Sequence, residues 1–125
     1  MSVSTDVVVA APGATISSKT LPLRRGPATG LAYVPTADPR FRRTERIRLE
    51  VPILRDGPVT AAGRVLTREG QPLPLQVTTT ERIDDKSGAR YLVAEVTLAP
   101  LAQGDFVLEL TAGKDSATYA FRIIP

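Results

Sequence analysis

Apolar residues recur at every second position in five separate stretches of this chain, and that period of two constrains the fold more than any other feature. Ile47, Leu49, Val51 and Ile53 alternate with Arg46, Arg48, Glu50 and Pro52. Leu73, Leu75 and Val77 alternate with Pro74, Gln76 and Thr78, and Leu92, Ala94, Val96 and Leu98 form a third series. Phe106, Leu108 and Leu110 make a fourth, and Ala117, Tyr119, Phe121 and Ile123 a fifth. Residues two apart on a strand share a face, so each stretch reads as a strand with one side in a core. Residues 59–68, with Val65 and Leu66, add a strand of mostly small residues. The strands are separated by turn chemistry: Asp56-Gly57-Pro58, Glu69-Gly70-Gln71-Pro72, the hairpin loop Asp84-Asp85-Lys86-Ser87-Gly88, and Gly113-Lys114-Asp115-Ser116. No stretch carries helical periodicity. The expected fold class is all-β: a two-layer antiparallel immunoglobulin-like or fibronectin III-like sandwich of about seven strands.

The expected core holds Ile47, Leu49, Val51, Val65, Leu75, Val77, Leu92, Val96, Leu98, Leu101, Phe106, Leu108, Leu110, Tyr119, Phe121 and Ile123. Residues 98–106 read as a crossing between sheets. Pro100 stops pairing, Leu101 plugs the end of the core, Gly104 supplies a positive φ, and Asp105 is placed to cap exposed amides. Residues 21–43 carry Pro22, Pro27, Pro35 and Pro39, which argues against a central strand there and leaves room for a short edge strand at 30–34. Pro74 likewise requires its strand to be an edge or to start outside the ladder. Residues 1–20 read as an N-terminal arm, and 21–125 as the sandwich domain. Within the arm, Val7, Val8 and Val9 suit a short strand that pairs within the chain, frays, or exchanges with a neighbouring copy.

A length of 125 residues fits one domain able to bury roughly two-thirds of its unfolded surface. Cysteine and histidine are both absent, which removes disulfides, thiolate sites, the commonest general base and the commonest metal ligand. Nucleophile-elbow, dinucleotide and P-loop motifs are missing too. Asp84, Asp85, Glu95, Asp105, Glu109 and Asp115 remain as carboxylates, mostly in turns or on solvent faces, and Asp84-Asp85 alone offers too few oxygens for calcium. The expectation is therefore no enzyme, no cofactor and no metal. No apolar run approaches the ~18 residues of a membrane span, and no signal peptide is visible at the start.

The net charge of +3 is unevenly spread. Lys19, Arg24, Arg25, Arg40, Arg42, Arg43, Arg46 and Arg48 face only Asp38 and Glu45 over the same stretch. Arg40, Arg42, Arg43, Arg46 and Arg48 form a candidate basic stripe for a partner, with Arg46 and Arg48 expected to point to solvent together. The partner is another protein domain, a further copy of the chain, or an anionic polymer. Nucleic acid is disfavoured because aromatic residues are only 5% of the chain. The alternative is an ordinary strand face whose arginines pair with Glu45, Glu50 and acids on a neighbouring strand.

Several segments carry a family resemblance. Ser4-Thr5-Asp6-Val7-Val8-Val9-Ala10, Leu21-Pro22-Leu23-Arg24-Arg25-Gly26-Pro27 and Tyr33-Val34-Pro35-Thr36-Ala37-Asp38-Pro39-Arg40-Phe41 resemble the C-terminal module of large bacterial proteins with a von Willebrand factor A-related domain. The pattern Leu98-x-Pro100-Leu101-x-x-Gly104-Asp105-Phe106 and the ending Phe121-Arg122-Ile123-Ile124-Pro125 are similar to the same module, and GWxTD-domain proteins share a related arrangement. The resemblance implies an exported, extracytoplasmic protein in which this module is an accessory β-sandwich, with no catalytic residues to carry over. The A-like domain and its Asp-x-Ser-x-Ser adhesion motif are not in this chain. The expected function is a non-catalytic accessory or interaction module. Its alternatives are a self-assembling structural subunit joined by strand or arm exchange, and a glycan-binding module, against which the lack of tryptophan counts.

Overall fold

The computed structural model describes residues 14–125, which form two β-sheets around one core. In chain order the strands are β1 (Leu21–Arg25), β2 (Val34–Pro35), β3 (Arg40–Phe41), β4 (Arg46–Pro52), β5 (Ala61–Thr67), β6 (Thr78–Ile83), β7 (Arg90–Thr97), β8 (Gly104–Ala112) and β9 (Asp115–Ile123). One sheet has the order β2-β1-β4-β7-β6 and the other β3-β9-β8-β5. Setting aside the two-residue strands β2 and β3, the remaining seven lettered A to G give A-B-E-D and G-F-C, the immunoglobulin arrangement. The two additional strands are too short for alternation to reveal. One of them, β3, pairs parallel to β9, so the sandwich is not purely antiparallel.

Alternation places the core as expected. Ile47, Leu49, Val51, Val65, Leu92, Val96, Leu98, Leu101, Leu108, Leu110, Phe121 and Ile123 are buried, each such side chain contributing about 1.5–3 kcal/mol. Leu75, Val77, Phe106 and Tyr119 are only partly buried at its margin. Ile16 and Phe41 are buried although neither lies in an alternating stretch. Ile16 bridges Ile53, and the Thr15 and Ile16 amides donate to the Asp115 carboxylate, so the folded unit begins upstream of residue 21. Phe41 is fully enclosed, edge-on to Tyr119 and Phe121 with ring centroids 6.4 and 6.1 Å away. Val7, Val8 and Val9 lie outside the described residues.

Proline placement differs from expectation in two places. β1 contains Pro22 yet is flanked by β2 and β4. The Pro22 carbonyl accepts the Thr36 amide at 3.1 Å, so its missing N–H also faces the short β2 side and leaves the β4 ladder intact. The edge strand expected at 30–34 is replaced by a 3-10 turn (Pro27–Thr29), a left-handed Gly30 and Leu31, and pairing only at Val34–Pro35. The strand expected from Leu73 begins at Thr78, which leaves Pro74 outside the ladder, the second of its two readings. Residues 72–73 pair instead with β5, through the Leu66–Pro72 bridge and the Leu73 amide to the Val65 carbonyl. Gly63 permits this crossing, because a Cβ there would lie 2.7 Å from Val77 Cγ1.

The crossing from β7 to β8 runs as the residues imply. Leu98 and Leu101 close the end of the core, and the Leu101 amide donates to the Leu98 carbonyl at 3.0 Å. Gly104 sits at φ +141 with nothing within 4 Å of where a Cβ would go, so its constraint is purely conformational. Gly104→Val is expected to cost about 1–3 kcal/mol, towards the upper end because valine is β-branched. A melting temperature equal to wild type would show that this backbone region tolerates a side chain. Asp105 does not cap amides here; it pairs with Arg122 across the β8–β9 ladder at 2.7 Å.

Candidate functional site

The basic stripe does not form one surface. Between Phe41 and Arg46 the chain crosses from one sheet to the other, and the crossing divides the arginines. Arg40 lies on β3, paired with Asp38 at 3.0 Å. Arg42 donates to the Pro125 oxygen at 3.1 Å, and Arg43 donates twice to the Ala99 carbonyl at 2.9 and 2.6 Å. These three hold loops at the end of the sandwich. Arg24 is consumed likewise. It donates to Thr36, Glu45 and the carbonyls of Asp38 and Arg40, with its guanidinium 4.4 Å from the Phe41 ring centre.

Arg46 and Arg48 do share a face, the outer side of the five-stranded sheet, while Ile47 and Leu49 enter the core. The register brings other groups to that face. Arg25 stands opposite Arg46, Glu95 opposite Arg48, Val93 opposite Glu50, and Tyr91 opposite Arg82. Four arginines thus meet two glutamates. Arg48 makes the pairing that the ordinary-face alternative expects, with Glu50 and with Glu95 of the neighbouring strand. The face is nevertheless not simply solvated: Glu50 is 5% exposed and Val93 1%, although both point away from the core. Arg48 reaches Glu50 from the same strand (Nε–Oε2 3.1 Å) and Glu95 from beside it (Nη1–Oε2 3.5 Å). Arg82 reaches Glu50 from two strands away, at 2.8 Å. A carboxylate this buried needs such partners, and removing one leaves a costly charge. The Arg48 Nε contact lacks the direction of a hydrogen bond, so it acts as charge pairing.

Arginine stems and aromatic rings cover the sheet. Arg82 lies 4.6 Å from the Tyr91 ring centre, and Arg48 and Arg25 lie 5.5 and 5.8 Å from that of Tyr33. Burial raises the Tyr33 phenol above its usual range; Glu95 adds to the rise, and Arg46 and Arg25 oppose it. Four buried side-chain polar atoms lack a hydrogen-bond partner among the described residues: Tyr33 Oη and the Nε atoms of Arg46, Arg48 and Arg82. All four are on this face. Beside Arg46 the sheet also loses its fifth strand, because residues 72–73 pair with β5 and β6 starts only at Thr78. A hollow of about 290 Å³ opens there, lined by Arg46, Leu75, Gln76, Thr78, Glu95 and Thr97.

Tyr33 and Arg82 were not singled out by sequence reasoning, Arg25 was counted in the basic stretch but not in the stripe, and Glu95 was weighed only as a dispersed carboxylate. The only local hint is parity, since Arg82 falls in step with Thr78 and Thr80. Assembling the group requires the register of five strands.

The remaining carboxylates are dispersed. Glu109 pairs with Arg64 at 2.6 Å, Asp115 holds the Thr15 and Ile16 amides, and Asp84 accepts the Ser87 amide and hydroxyl at 2.9 and 2.7 Å within its turn. Among the described residues no three candidate metal-ligating side chains come together. The Ser87 hydroxyl and amide hold Asp84 below its usual value near 3.8; Arg40 does the same for Asp38, and Arg122 for Asp105. A depressed carboxylate contributes stability that is complete above its unfolded pKa and lost as pH falls through its folded pKa. The melting temperature is therefore expected to hold between pH 7 and 5 and to fall below about pH 4. A flat profile down to pH 2.5 would show that these aspartates are not held.

The outer face of the other sheet carries a larger, shallow depression of about 530 Å³ near Arg40, Asp105, Val107, Ala120 and Arg122. Its arginines at 40 and 122 are paired with Asp38 and Asp105, while Arg68, also in its lining, has no salt bridge among the described residues. No described helix is long and apolar enough to cross a membrane. No protein-family model matches the chain, and comparison with curated proteins finds no relative.

Proposed function

We propose that this chain is a non-catalytic interaction module that docks a partner protein against the outer face of its five-stranded sheet. One observation carries the reading: every buried polar side-chain atom without a hydrogen-bond partner among the described residues lies on that face. Arg48 Nε already has the Glu50 carboxylate beside it. Tyr33 Oη, Arg46 Nε and Arg82 Nε have no such neighbour among the described residues, and groups of this kind are costly unless something satisfies them. The surplus of arginine over glutamate there favours an acidic partner surface. The resemblance of residues 21–27, 33–41 and 98–106 to the accessory module of exported bacterial proteins with a von Willebrand factor A-related domain supports an extracytoplasmic setting.

A second reading, a self-assembling subunit, draws on β6. The Asp84 amide donates to the Ala89 carbonyl across the β6–β7 hairpin. Backbone groups in step with it, at Arg82 and Thr80, therefore face β7, and those of Thr79, Glu81 and Ile83 face outward from a six-residue edge. A second copy could add there by strand pairing. The glycan reading has less support, since Tyr33 and Tyr91 are overlain by arginines.

The test is a charge reversal on each face. Arg25→Glu with Arg46→Glu is expected to abolish co-purification of the partner from the native host, while Arg40→Glu with Arg122→Glu leaves it intact. The opposite pattern would move the docking surface to the other sheet. A concentration-dependent dimer by light scattering, abolished by a proline at Thr79, would favour the self-assembling subunit.

A further inference from the structure

We infer that the Arg25–Arg46–Tyr33 corner of the five-stranded sheet is a receptor site for a single carboxylate, presented by an acidic segment of the partner protein. The inference rests on the docking-face reading and names the group that face receives. Arg25 ends β1 and Arg46 begins β4, and the register sets them directly opposite. Like charges in that relation destabilise a sheet unless an anion lies between or beside them. Neither arginine has a salt bridge among the described residues, whereas Arg48 and Arg82 on the same face are both engaged with glutamates. On this face the unmet charge is therefore local to this corner.

Three further features fit an arriving carboxylate. Arg46 Nε and Tyr33 Oη are buried N–H and O–H donors without acceptors. The hollow on the other side of Arg46 from Arg25 adds Thr78, Thr97 and Gln76 as polar neighbours; Glu95 also lines it, so the arriving carboxylate sits on the Arg25–Arg46 side of the hollow and not within it. Leu31, tied to this corner by the hydrogen bond from its amide to the Gly26 carbonyl, is 66% exposed and held at φ +71, a conformation uncommon for leucine. It puts an exposed apolar side chain on the segment that joins Arg25 to Tyr33.

The same face argues for a discrete acid over a polyanion. Glu95 lines the hollow and Glu50 lies two residues along β4 from Arg48, so a chain bearing a phosphate or sulfate at every unit would meet carboxylates within the same footprint. A guanidinium fork matches a planar carboxylate with two parallel hydrogen bonds. An isolated glutamate or aspartate can use that fork without approaching Glu50.

Titration of the chain with a short peptide carrying two glutamates among glycine and serine, followed through the arginine Nε–Hε NMR signals, tests the site. The expected result is a saturable shift at Arg46 and Arg25 that weakens several-fold between low and moderate salt, with Arg40 and Arg122 unmoved. The glutamine version of the peptide should give no saturation, and Arg46→Gln should abolish the response while the amide spectrum remains folded. A response centred on Arg82 would overturn this corner and leave the docking face standing. Equal shifts at Arg40 and Arg122 would overturn both. A heparin-type oligosaccharide that binds the corner more tightly than the peptide would overturn the carboxylate assignment.

Discussion

Replacing Phe41 by alanine lowers the stability of this domain by about 3–5 kcal/mol, the range for emptying a buried aromatic site, and the melting temperature by on the order of 10 °C. The ring has no solvent exposure, packs edge-on against Tyr119 and Phe121, and carries the Arg24 guanidinium on its face. It also anchors β3, whose two residues pair with the end of β9. Few neighbours can collapse into the space, since they belong to two sheets and a loop. Phe41→Leu refills most of the volume and should recover more than half of the loss. A chemical melt of both variants checks this. An alanine variant within about 1 kcal/mol of wild type would mean that the ring is not enclosed.

The second large effect separates two arginines that the sequence presents as equivalent. Arg48→Glu is expected to cost about 2–3 kcal/mol. It removes one of two cations from Glu50, whose side chain is 7% exposed, and sets a new carboxylate between Glu50 and Glu95. Breaking a fully buried pair costs about 3–5 kcal/mol; Arg48 is 24% exposed and Arg82 still serves Glu50, which lowers the figure. Arg46→Glu should change stability by less than about 1 kcal/mol, and in the favourable direction, because it turns the Arg25–Arg46 opposition into an attractive pair. Denaturant melts of the two single variants provide the comparison. Equal losses would show that Arg46 is also bound into the network.

This contrast marks how far the sequence could be read. Period-two alternation gave the outer placement of Arg46 and Arg48 together with the inner placement of Ile47 and Leu49, because parity is a local property. It did not reveal that Glu50 and Val93 would be buried on the outer side. That follows from side chains on β4 and β6, strands that are not neighbours, converging over the sheet. Phe41 was hidden for a related reason: among Arg40, Arg42 and Arg43 it looked like part of a basic loop, and a two-residue strand shows no period. The crossing at Leu98–Gly104 was legible because proline, leucine and glycine each act through their own conformation. The late start of β6 was not, because Leu73, Leu75 and Val77 alternate whether or not they are paired. The hollow beside Arg46 depends on that late start, so it was invisible as well.

The docking face is tested most directly by photo-crosslinking in the native host, from a benzophenone side chain placed at one of two exposed threonines. Thr80 lies on the outer face of the five-stranded sheet and Thr118 on that of the other sheet. A discrete adduct is expected from Thr80, lost when Arg25 and Arg46 are both changed to glutamate, with none from Thr118. An adduct from Thr118 alone, or none from Thr80, would contradict the assignment of this face.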